Sequence, residues 1–149
     1  MFRIALAGNP NCGKTTIFNA LTGLRHKVAN YPGVTVEKKE GWLTLPEIGE
    51  VVVIDLPGIY SLSAHSMDEA IASKALLGMQ GIGEPQPDLI VSVIDASNLE
   101  RNLYLTSQLI DLGLPLIVAL NMRDVAEARG ISIKREVLAR ILDVPVVLL

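Results

Sequence analysis

The sequence predicts an α/β fold with a mostly parallel sheet of six strands, helices on both faces and one antiparallel edge strand. Short apolar and β-branched segments such as Leu89–Ile94 and Leu114–Leu120 alternate with amphipathic segments. That alternation is typical of parallel strands that are covered by helices on both faces. The chain of 149 residues is 50% hydrophobic. A buried sheet explains this value better than a membrane span, because a spanning helix needs about 18 or more apolar residues in succession.

The first elements are justified by local pattern and by turn residues. Phe2–Gly8 is predicted as the first strand, and Lys14–Gly23 as a helix that stops at its glycine. Leu24–Thr35 has neither the helical nor the strand period, so we expect a long loop there. Val36–Leu45 and Glu50–Gly58 are expected to pair as an antiparallel hairpin at one edge of the sheet.

The second half of the chain repeats the alternation of strand and helix. A helix is predicted over Met67–Gly78, with Ser66 as its N-cap and Glu69 as the capping-box partner. Gly81–Pro87 is rich in turn residues. The remaining predicted elements are strand Asp88–Ala96, helix Leu99–Gly113, strand Pro115–Asn121, one or two helices over Asp124–Leu142 and strand Val144–Leu149.

Composition excludes several classes of protein. A net charge of −3 argues against a nucleic-acid-coating surface, so we expect no nucleic-acid partner. One cysteine rules out an internal disulfide framework and fits a reducing compartment. The amino-terminal apolar run is too short for a signal peptide. We therefore expect a cytoplasmic location.

The segment after the first strand has the pattern of a phosphate-binding loop. Gly8–Thr15 matches G-x-x-x-x-G-K-[ST], between a predicted strand and a predicted helix. Glycines let backbone N–H groups surround phosphate oxygens, Lys14 adds a positive charge and the Thr15 hydroxyl suits Mg²⁺. The predicted phosphate-binding residues are Gly8, Asn9, Pro10, Asn11, Cys12, Gly13, Lys14, Thr15 and Thr16.

Two further segments are expected to complete the phosphate and Mg²⁺ site. Asp55–Gly58 follows a strand, where the carboxylate can hold a metal-bound water and the glycine N–H can meet a γ-phosphate. Thr35, in the long loop, is the candidate for a second hydroxyl on Mg²⁺. The predicted Mg²⁺ ligands are thus Thr15, Thr35 and Asp55. The predicted phosphate contacts from these segments are Gly33, Val34, Thr35, Asp55, Leu56, Pro57 and Gly58.

A third motif indicates which base is bound. Asn121, Met122 and Asp124 follow a predicted central strand. A carboxylate at Asp124 can accept both N1–H and the N2 hydrogens of guanine, whereas adenine would leave it unpaired, at a cost of about 1–3 kcal/mol or more. Taken alone, Asn121 and Asp124 are also credible helix caps. The order of all the motifs favours guanine and hence GTP and GDP.

The whole chain resembles the GTPase (G) domain of the bacterial ferrous iron transport protein B family. The resemblance rests on "GNPNCGKTTIFNALTG", "ANYPGVTVEKKEG", "DLPGIYSLSAHSMDEAIA", "VIDASNLERNLYLTSQL" and "VALNMRD". It implies a P-loop GTPase fold and a switch domain that binds and hydrolyses GTP in an Fe²⁺ uptake transporter. The parent protein would add a helical regulatory region and a polytopic membrane region, which places the domain at the cytoplasmic face of the inner membrane.

The same resemblance implies where the domain stops. We expect residues 1–149 to form a G domain that lacks the family's last guanine-binding loop and final helix. An exposed apolar patch is therefore expected near Val144–Leu149, with a tendency to associate. Whether the chain forms a homo-oligomer is left open by the sequence.

The resemblance also implies a mechanism for hydrolysis. Many GTPases place a glutamine where this chain has Ile59, which has no polar side chain to orient water. GTPases that have an asparagine at the position of Asn11, including the iron-transport family, use it to hold K⁺ beside the phosphates. In that family two backbone carbonyls complete the site, and the matching residues here are Ala29 and Tyr31. We therefore expect Mg²⁺-dependent, K⁺-stimulated GTP hydrolysis. The expected catalytic residues are Asn11, Lys14, Thr35 and Gly58.

Two alternatives remain on sequence grounds. One is a soluble GTPase of ribosome or tRNA maturation, which would share the loop and its potassium chemistry. Three features argue against it. The usual base-recognition motif has lysine where this chain has Met122, the net charge is acidic, and the chain contains "DASNLERNLYLT". The other is a nucleotide-sensing binding module in which hydrolysis is incidental.

Overall fold

The structure, a computed structural model, describes residues 1–63, 65–78 and 85–149. The strands are β1 Phe2–Gly8, β2 His26–Asn30, β3 Glu37–Leu45, β4 Gly49–Asp55, β5 Leu89–Asp95, β6 Leu116–Asn121 and β7 Val146–Leu148. The helices are α1 Lys14–Thr22, α2 Met67–Leu77, α3 Leu99–Asp111, α4 Arg123–Ala128 and α5 Arg135–Leu142, and a short 3₁₀ turn spans Ala96–Asn98.

Within the described residues, the seven strands form one sheet in the order β2-β3-β4-β1-β5-β6-β7. The pairings β4–β1, β1–β5, β5–β6 and β6–β7 are parallel. Antiparallel pairing is confined to β2–β3 and β3–β4 at one edge. The predicted α/β fold with its mostly parallel sheet is confirmed. Because β1, β4 and β6 are parallel, their carboxyl ends lie at the same edge, and each is followed by a predicted motif.

The predicted strand count of six was wrong, because part of the expected long loop is a strand. His26–Asn30 forms β2, which pairs with β3 in a register that sets Ala29 against Lys38. Every residue of β2 is exposed. A strand of this kind needs no alternation of apolar side chains, since its pairing rests on backbone hydrogen bonds. The sequence period that identifies half-buried strands was therefore missing.

The predicted helix boundaries agree with the structure. Gly23 ends α1 with φ 59°, and Ser66 caps α2 by accepting a hydrogen bond from the Glu69 N–H at 3.1 Å. The segment predicted as one or two helices contains two, α4 and α5. The turn expected over residues 81–87 lies largely outside the described residues.

Helices cover both faces of the sheet, as predicted. On one face, α2 and α3 contribute buried side chains such as Ile71 and Leu105 to the main core. On the other face, Phe18 of α1 packs with Leu6 and Val53. No helix in the described ranges is both long and apolar enough to cross a membrane. At the β7 edge, Val147 is 43% exposed and Leu149 is 49% exposed.

Candidate functional site

The loop between β1 and α1 has the backbone shape of a phosphate-binding loop. Asn11 has φ 64° and Gly13 has φ 90°, so the chain turns through the left-handed region twice before α1 begins at Lys14. A side chain on Gly13 would collide with the amide nitrogen of Asn121. Position 13 therefore requires glycine both for its dihedral angle and for the close approach of Asn121.

Lys14 and Asp55 connect two of the predicted motifs. The Lys14 ammonium forms an ion pair with Asp55 Oδ1, and the two side chains are only 8% and 2% exposed. The Thr15 hydroxyl donates a long hydrogen bond of 3.4 Å to Asp55 Oδ2. Residues that are 40 and 41 positions apart in sequence thus meet at the carboxyl end of β4, beside the start of α1.

Two adjoining clefts open at this edge of the sheet, with volumes of about 340 and 560 Å³. Both are lined by Lys14, Thr15, Gly58 and Asp68. The first cleft is also lined by Thr35, Val36, Glu37, Lys39, Asp55, Leu56 and Pro57. The second is also lined by Asn9, Pro10, Asn11, Gly13, Thr16 and Met122. The structure therefore brings most of the predicted phosphate-site residues together.

Asp68 is a cleft residue that the sequence did not indicate. It lies in the first turn of α2 and lines both clefts. No motif includes this position, and an acidic residue near a helix start is ordinarily explained by the helix dipole. Glu37 and Lys39 also line the first cleft, and the sequence indicated them only as part of the predicted strand Val36–Leu45.

The Asp55–Gly58 turn rests directly on the phosphate-binding loop. The Ile59 N–H donates to the Gly8 carbonyl at 3.1 Å, and a Cβ on Gly58 would lie 3.0 Å from the Pro10 Cα. The Ile59 side chain is only 3% exposed and belongs to the main core. It points into the protein and Ile59 lines neither cleft, so this position joins the turn to the loop through its backbone N–H alone.

Asn121 supports the loop from the end of β6. Its amide nitrogen donates to the Cys12 carbonyl at 3.1 Å. Met122 has φ 58°, precedes α4 and lines the second cleft. Asp124 is exposed in the first turn of α4. The base motif is thus tied to the phosphate-binding loop through Asn121, while the Asp124 carboxylate remains accessible.

The residues predicted to supply K⁺ carbonyls, Ala29 and Tyr31, do not line the cleft at which Asn11 lies. The Tyr31 carbonyl accepts the Val34 N–H at 3.2 Å. Ala29 pairs with Lys38 in the β2–β3 ladder, and neither Ala29 nor Tyr31 lines the clefts. The Tyr31 side chain is 1% exposed, within the main core.

The remaining predicted phosphate contacts, in the turn before Thr35 and in the phosphate-binding loop, have different surroundings. Gly33 has φ 75° in the turn before Thr35, and neither Gly33 nor Val34 lines the clefts. The Cys12 thiol packs with Val93 and Ala119, and burial raises its pKa. The Asn9 carboxamide is buried without a hydrogen-bond partner among the described residues, so it is available to a group that enters the second cleft.

The segment "DASNLERNLYLT" has a structural explanation that sequence reasoning missed. Asp95 accepts hydrogen bonds from the Ser97 N–H at 2.8 Å and the Ser97 hydroxyl at 2.6 Å. The buried Asn102 accepts the Asp95 N–H at 3.1 Å and donates to the Asn98 carbonyl at 2.9 Å. These bonds fix the junction between β5 and α3 by satisfying its buried polar groups.

The sequence and the fold both match a known protein family. A family model described as ferrous iron transport protein B matches residues 2–149. The chain belongs to this family. An Fe(2+) transporter FeoB of Legionella pneumophila (strain Lens) is 52% identical over 147 residues, which are 99% of this chain. The chain spans 19% of the length of that relative.

Solved FeoB structures have the same fold. The cytosolic domain of L. pneumophila FeoB matches with a TM-score of 0.90 at 52% identity, covering 99% of this chain and 56% of that one. A GDP-bound mutant of the S. thermophilus FeoB G-domain matches with a TM-score of 0.88 at 48% identity, covering 100% and 54%. The T. maritima cytosolic domain in its GMPPNP form matches with a TM-score of 0.89 at 45% identity, covering 99% and 56%. The fold is therefore that of the FeoB G domain, a P-loop GTPase fold.

Proposed function

We propose that this chain binds GTP and GDP together with Mg²⁺, hydrolyses GTP and acts as the nucleotide switch of a bacterial Fe²⁺ transporter. The observation that carries the proposal is the meeting of Lys14, Asp55 and Gly58 at a cleft beside the start of α1. FeoB relatives with the same fold hold GDP or GMPPNP, which supports a guanine nucleotide here.

The residues at the first cleft fit Mg²⁺. Thr15 and Asp55 present oxygen atoms 3.4 Å apart, and Thr35 lines the same cleft. Mg²⁺ prefers one or two carboxylates or hydroxyls together with substrate phosphates and water. Within residues 1–63, 65–78 and 85–149, no cluster of three or more His, Cys, Asp or Glu side chains is placed to hold a metal. A site that relies on hydroxyls and phosphate oxygens is consistent with that finding.

Phosphate binding is assigned to the loop and to Lys14. The loop precedes a helix of nine residues, whose N-terminal N–H groups and dipole favour an anion. Lys14 supplies the charge that balances a β/γ-phosphate, and the Gly58 N–H is the candidate donor to the γ-phosphate. Thr35, which reaches the first cleft from the turn after β2, would close over the nucleotide.

Guanine selection is assigned to Asp124. Its carboxylate is exposed in the first turn of α4, while Asn121 holds the neighbouring loop. The Asp124 carboxylate can accept hydrogen bonds from N1–H and N2–H of guanine, whereas adenine has no N1–H to donate. Hydrogen bonds to a charged group contribute about 1.5–3 kcal/mol, so we expect guanine to be preferred by at least about tenfold.

K⁺ stimulation is assigned to Asn11, which is exposed at the second cleft. A K⁺ ion held there would supply positive charge where the transition state of phosphoryl transfer needs it. Neither Ala29 nor Tyr31 lines the second cleft, so we expect their carbonyls to join such a site only after the turn around Gly33 is remodelled. We therefore expect K⁺ binding to accompany nucleotide binding.

The role in iron uptake rests on family membership. The matched region is 19% of the L. pneumophila relative named as an Fe(2+) transporter. We infer that the full protein joins this domain to a helical regulatory region and a membrane region, with the domain at the cytoplasmic face of the inner membrane. Fe²⁺ is the cargo of that membrane region.

The test is GTP turnover with Mg²⁺ in KCl and in NaCl. Wild-type protein should hydrolyse GTP faster in KCl, and Asn11→Ala should remove that difference. Asn19→Ala, which changes an exposed asparagine of α1, is the matched control and should keep it. Equal rates in both salts for the wild type would refute the K⁺ assignment. Absence of any turnover would refute the proposed hydrolysis.

Base selection is tested separately by competition with GDP and ADP. Asp124→Asn should weaken GDP binding by about tenfold or more. Glu127→Gln, in the same helix, removes an exposed carboxylate and should leave the preference unchanged. If Asp124→Asn binds GDP as the wild type does, Asp124 does not read the base.

A further inference from the structure

The five residues after Gly58, Ile59–Ser63, are held at several points although they form no helix or strand. At the start of this segment, the Ile59 N–H donates a hydrogen bond to the Gly8 carbonyl at 3.1 Å. At its far end, the Ser61 hydroxyl donates to Glu69 Oε2 at 2.8 Å and the Leu62 N–H donates to Gln108 Oε1 at 2.8 Å. These contacts reach α2 and α3.

Helix α3 makes a second contact with this segment. The Arg101 guanidinium lies over the Tyr60 ring, 4.2 Å from its centroid. Arg101 and Gln108 are about two helical turns apart, so they lie on one side of α3. Between them, Leu105 is 1% exposed and anchors α3 to the core. The segment is therefore held at two points by a helix whose own position is fixed.

The attached segment begins directly after Gly58. Gly58, which has no side chain, lines both clefts, whereas Ile59 is buried in the core and lines neither. A backbone donor cannot be adjusted by rotation about a side-chain bond. Its direction depends on what holds the chain on either side. On the upstream side this is the end of β4, where the Leu56 N–H donates to Leu6 at 3.1 Å. On the downstream side it is the Ile59 N–H bond to the Gly8 carbonyl and, just beyond it, the contacts of Tyr60 and Leu62 with α3.

We propose that Gln108 and Arg101 are positioning residues for GTP hydrolysis, which hold Ile59–Ser63 so that the Gly58 N–H stays directed at the cleft. The inference rests on the proposed GTPase function. Neither side chain lines the clefts. Both act through the segment, so their loss lowers the rate of the chemical step more than it lowers nucleotide affinity.

The test compares Gln108→Leu, which removes the acceptor at nearly constant volume, with Gln108→Glu, which keeps it. Loss of one hydrogen bond of ordinary strength predicts a kcat about fivefold lower for Gln108→Leu. The Kd for GDP should stay within about twofold of the wild type, since no nucleotide contact is removed. Gln108→Glu should restore kcat, and Ser107→Ala, an exposed position of the same helix, is the control.

A second readout does not depend on turnover. Hydrogen exchange of the backbone amides in residues 59–63, measured without nucleotide, should be about fivefold faster in Gln108→Leu and about threefold faster in Arg101→Leu. Unchanged exchange in both variants overturns the proposal. A fall in kcat matched by an equal loss of GDP affinity also overturns it. If the wild type fails to hydrolyse GTP, the proposed function fails, and the exchange data alone decide whether α3 positions this segment.

Discussion

Replacing Lys14 by methionine should destabilise the fold as well as remove phosphate binding. The methionine keeps most of the stem but leaves the Asp55 carboxylate, whose side chain is 2% exposed, without its cation. The Thr15 hydroxyl is 3.4 Å from Asp55 Oδ2, too far to replace an ion pair. Removing one partner of a buried pair costs about 3–5 kcal/mol. We expect the free energy of unfolding to fall by about 3 kcal/mol.

Urea unfolding in nucleotide-free buffer, followed by Trp42 fluorescence, measures this change. Arg25→Met is the control, because the Arg25–Glu50 pair, at 3.5 Å, has side chains that are 55% and 48% exposed. Exposed pairs contribute about 0–1 kcal/mol. The double variant Lys14→Met/Asp55→Asn should be more stable than Lys14→Met, since it no longer buries a lone charge.

A stability loss in Lys14→Met no larger than that in Arg25→Met would contradict a buried ion pair that stabilises the fold. A double variant that is less stable than Lys14→Met would also contradict it, because the cost would then not arise from an unpaired carboxylate. The first result would mean that the pair does not stabilise the fold, and the second that Lys14 stabilises it by contacts other than the charge of Asp55.

Three further predictions concern the loop, the thiol and the sheet edge. Gly13→Ala should cost about 2 kcal/mol in urea unfolding, since φ 90° and the Asn121 amide both oppose a Cβ; wild-type stability would contradict this. Cys12 should react with a thiol reagent at pH 8 far more slowly in the folded protein than in urea, because burial raises its pKa and blocks access; equal rates would contradict this. The same raised pKa means that the thiol's contribution to stability is present at neutral pH and is lost as pH rises above about 8.5. Val147→Glu should reduce self-association in sedimentation experiments while changing stability by less than about 0.5 kcal/mol, and a wild type that stays monomeric at high concentration would contradict this.

The sequence was sufficient for those site residues whose chemistry requires a residue type at a fixed spacing. Lys14 follows β1 and Asp55 ends β4, two parallel neighbours in the sheet, so the rule that parallel strands end at one edge was enough to bring them together. Asn121 was predicted for the base, and the structure adds a bond from its amide to the Cys12 carbonyl.

Features that depend on tertiary packing could not be predicted in this way. β2 is an edge strand, whose exposed residues carry no periodic signal. Asp68 lines the clefts only because of the direction in which α2 approaches the sheet. Arg101 and Gln108 read as surface residues of an amphipathic helix, since their partners Tyr60 and Leu62 lie in a segment without regular structure.

The three supports of the phosphate-binding loop also determine how its occupation is communicated. Asn121 holds the Cys12 carbonyl, Asp55 pairs with Lys14, and the Ile59 N–H bonds to Gly8. A phosphate that draws Lys14 away from Asp55 weakens one support and leaves the other two, so the response is directed toward the Asp55–Gly58 turn. The contacts of Gln108 and Arg101 with Leu62 and Tyr60 hold the chain just beyond this turn, so the movement that such a response can produce at Gly58 depends on α3.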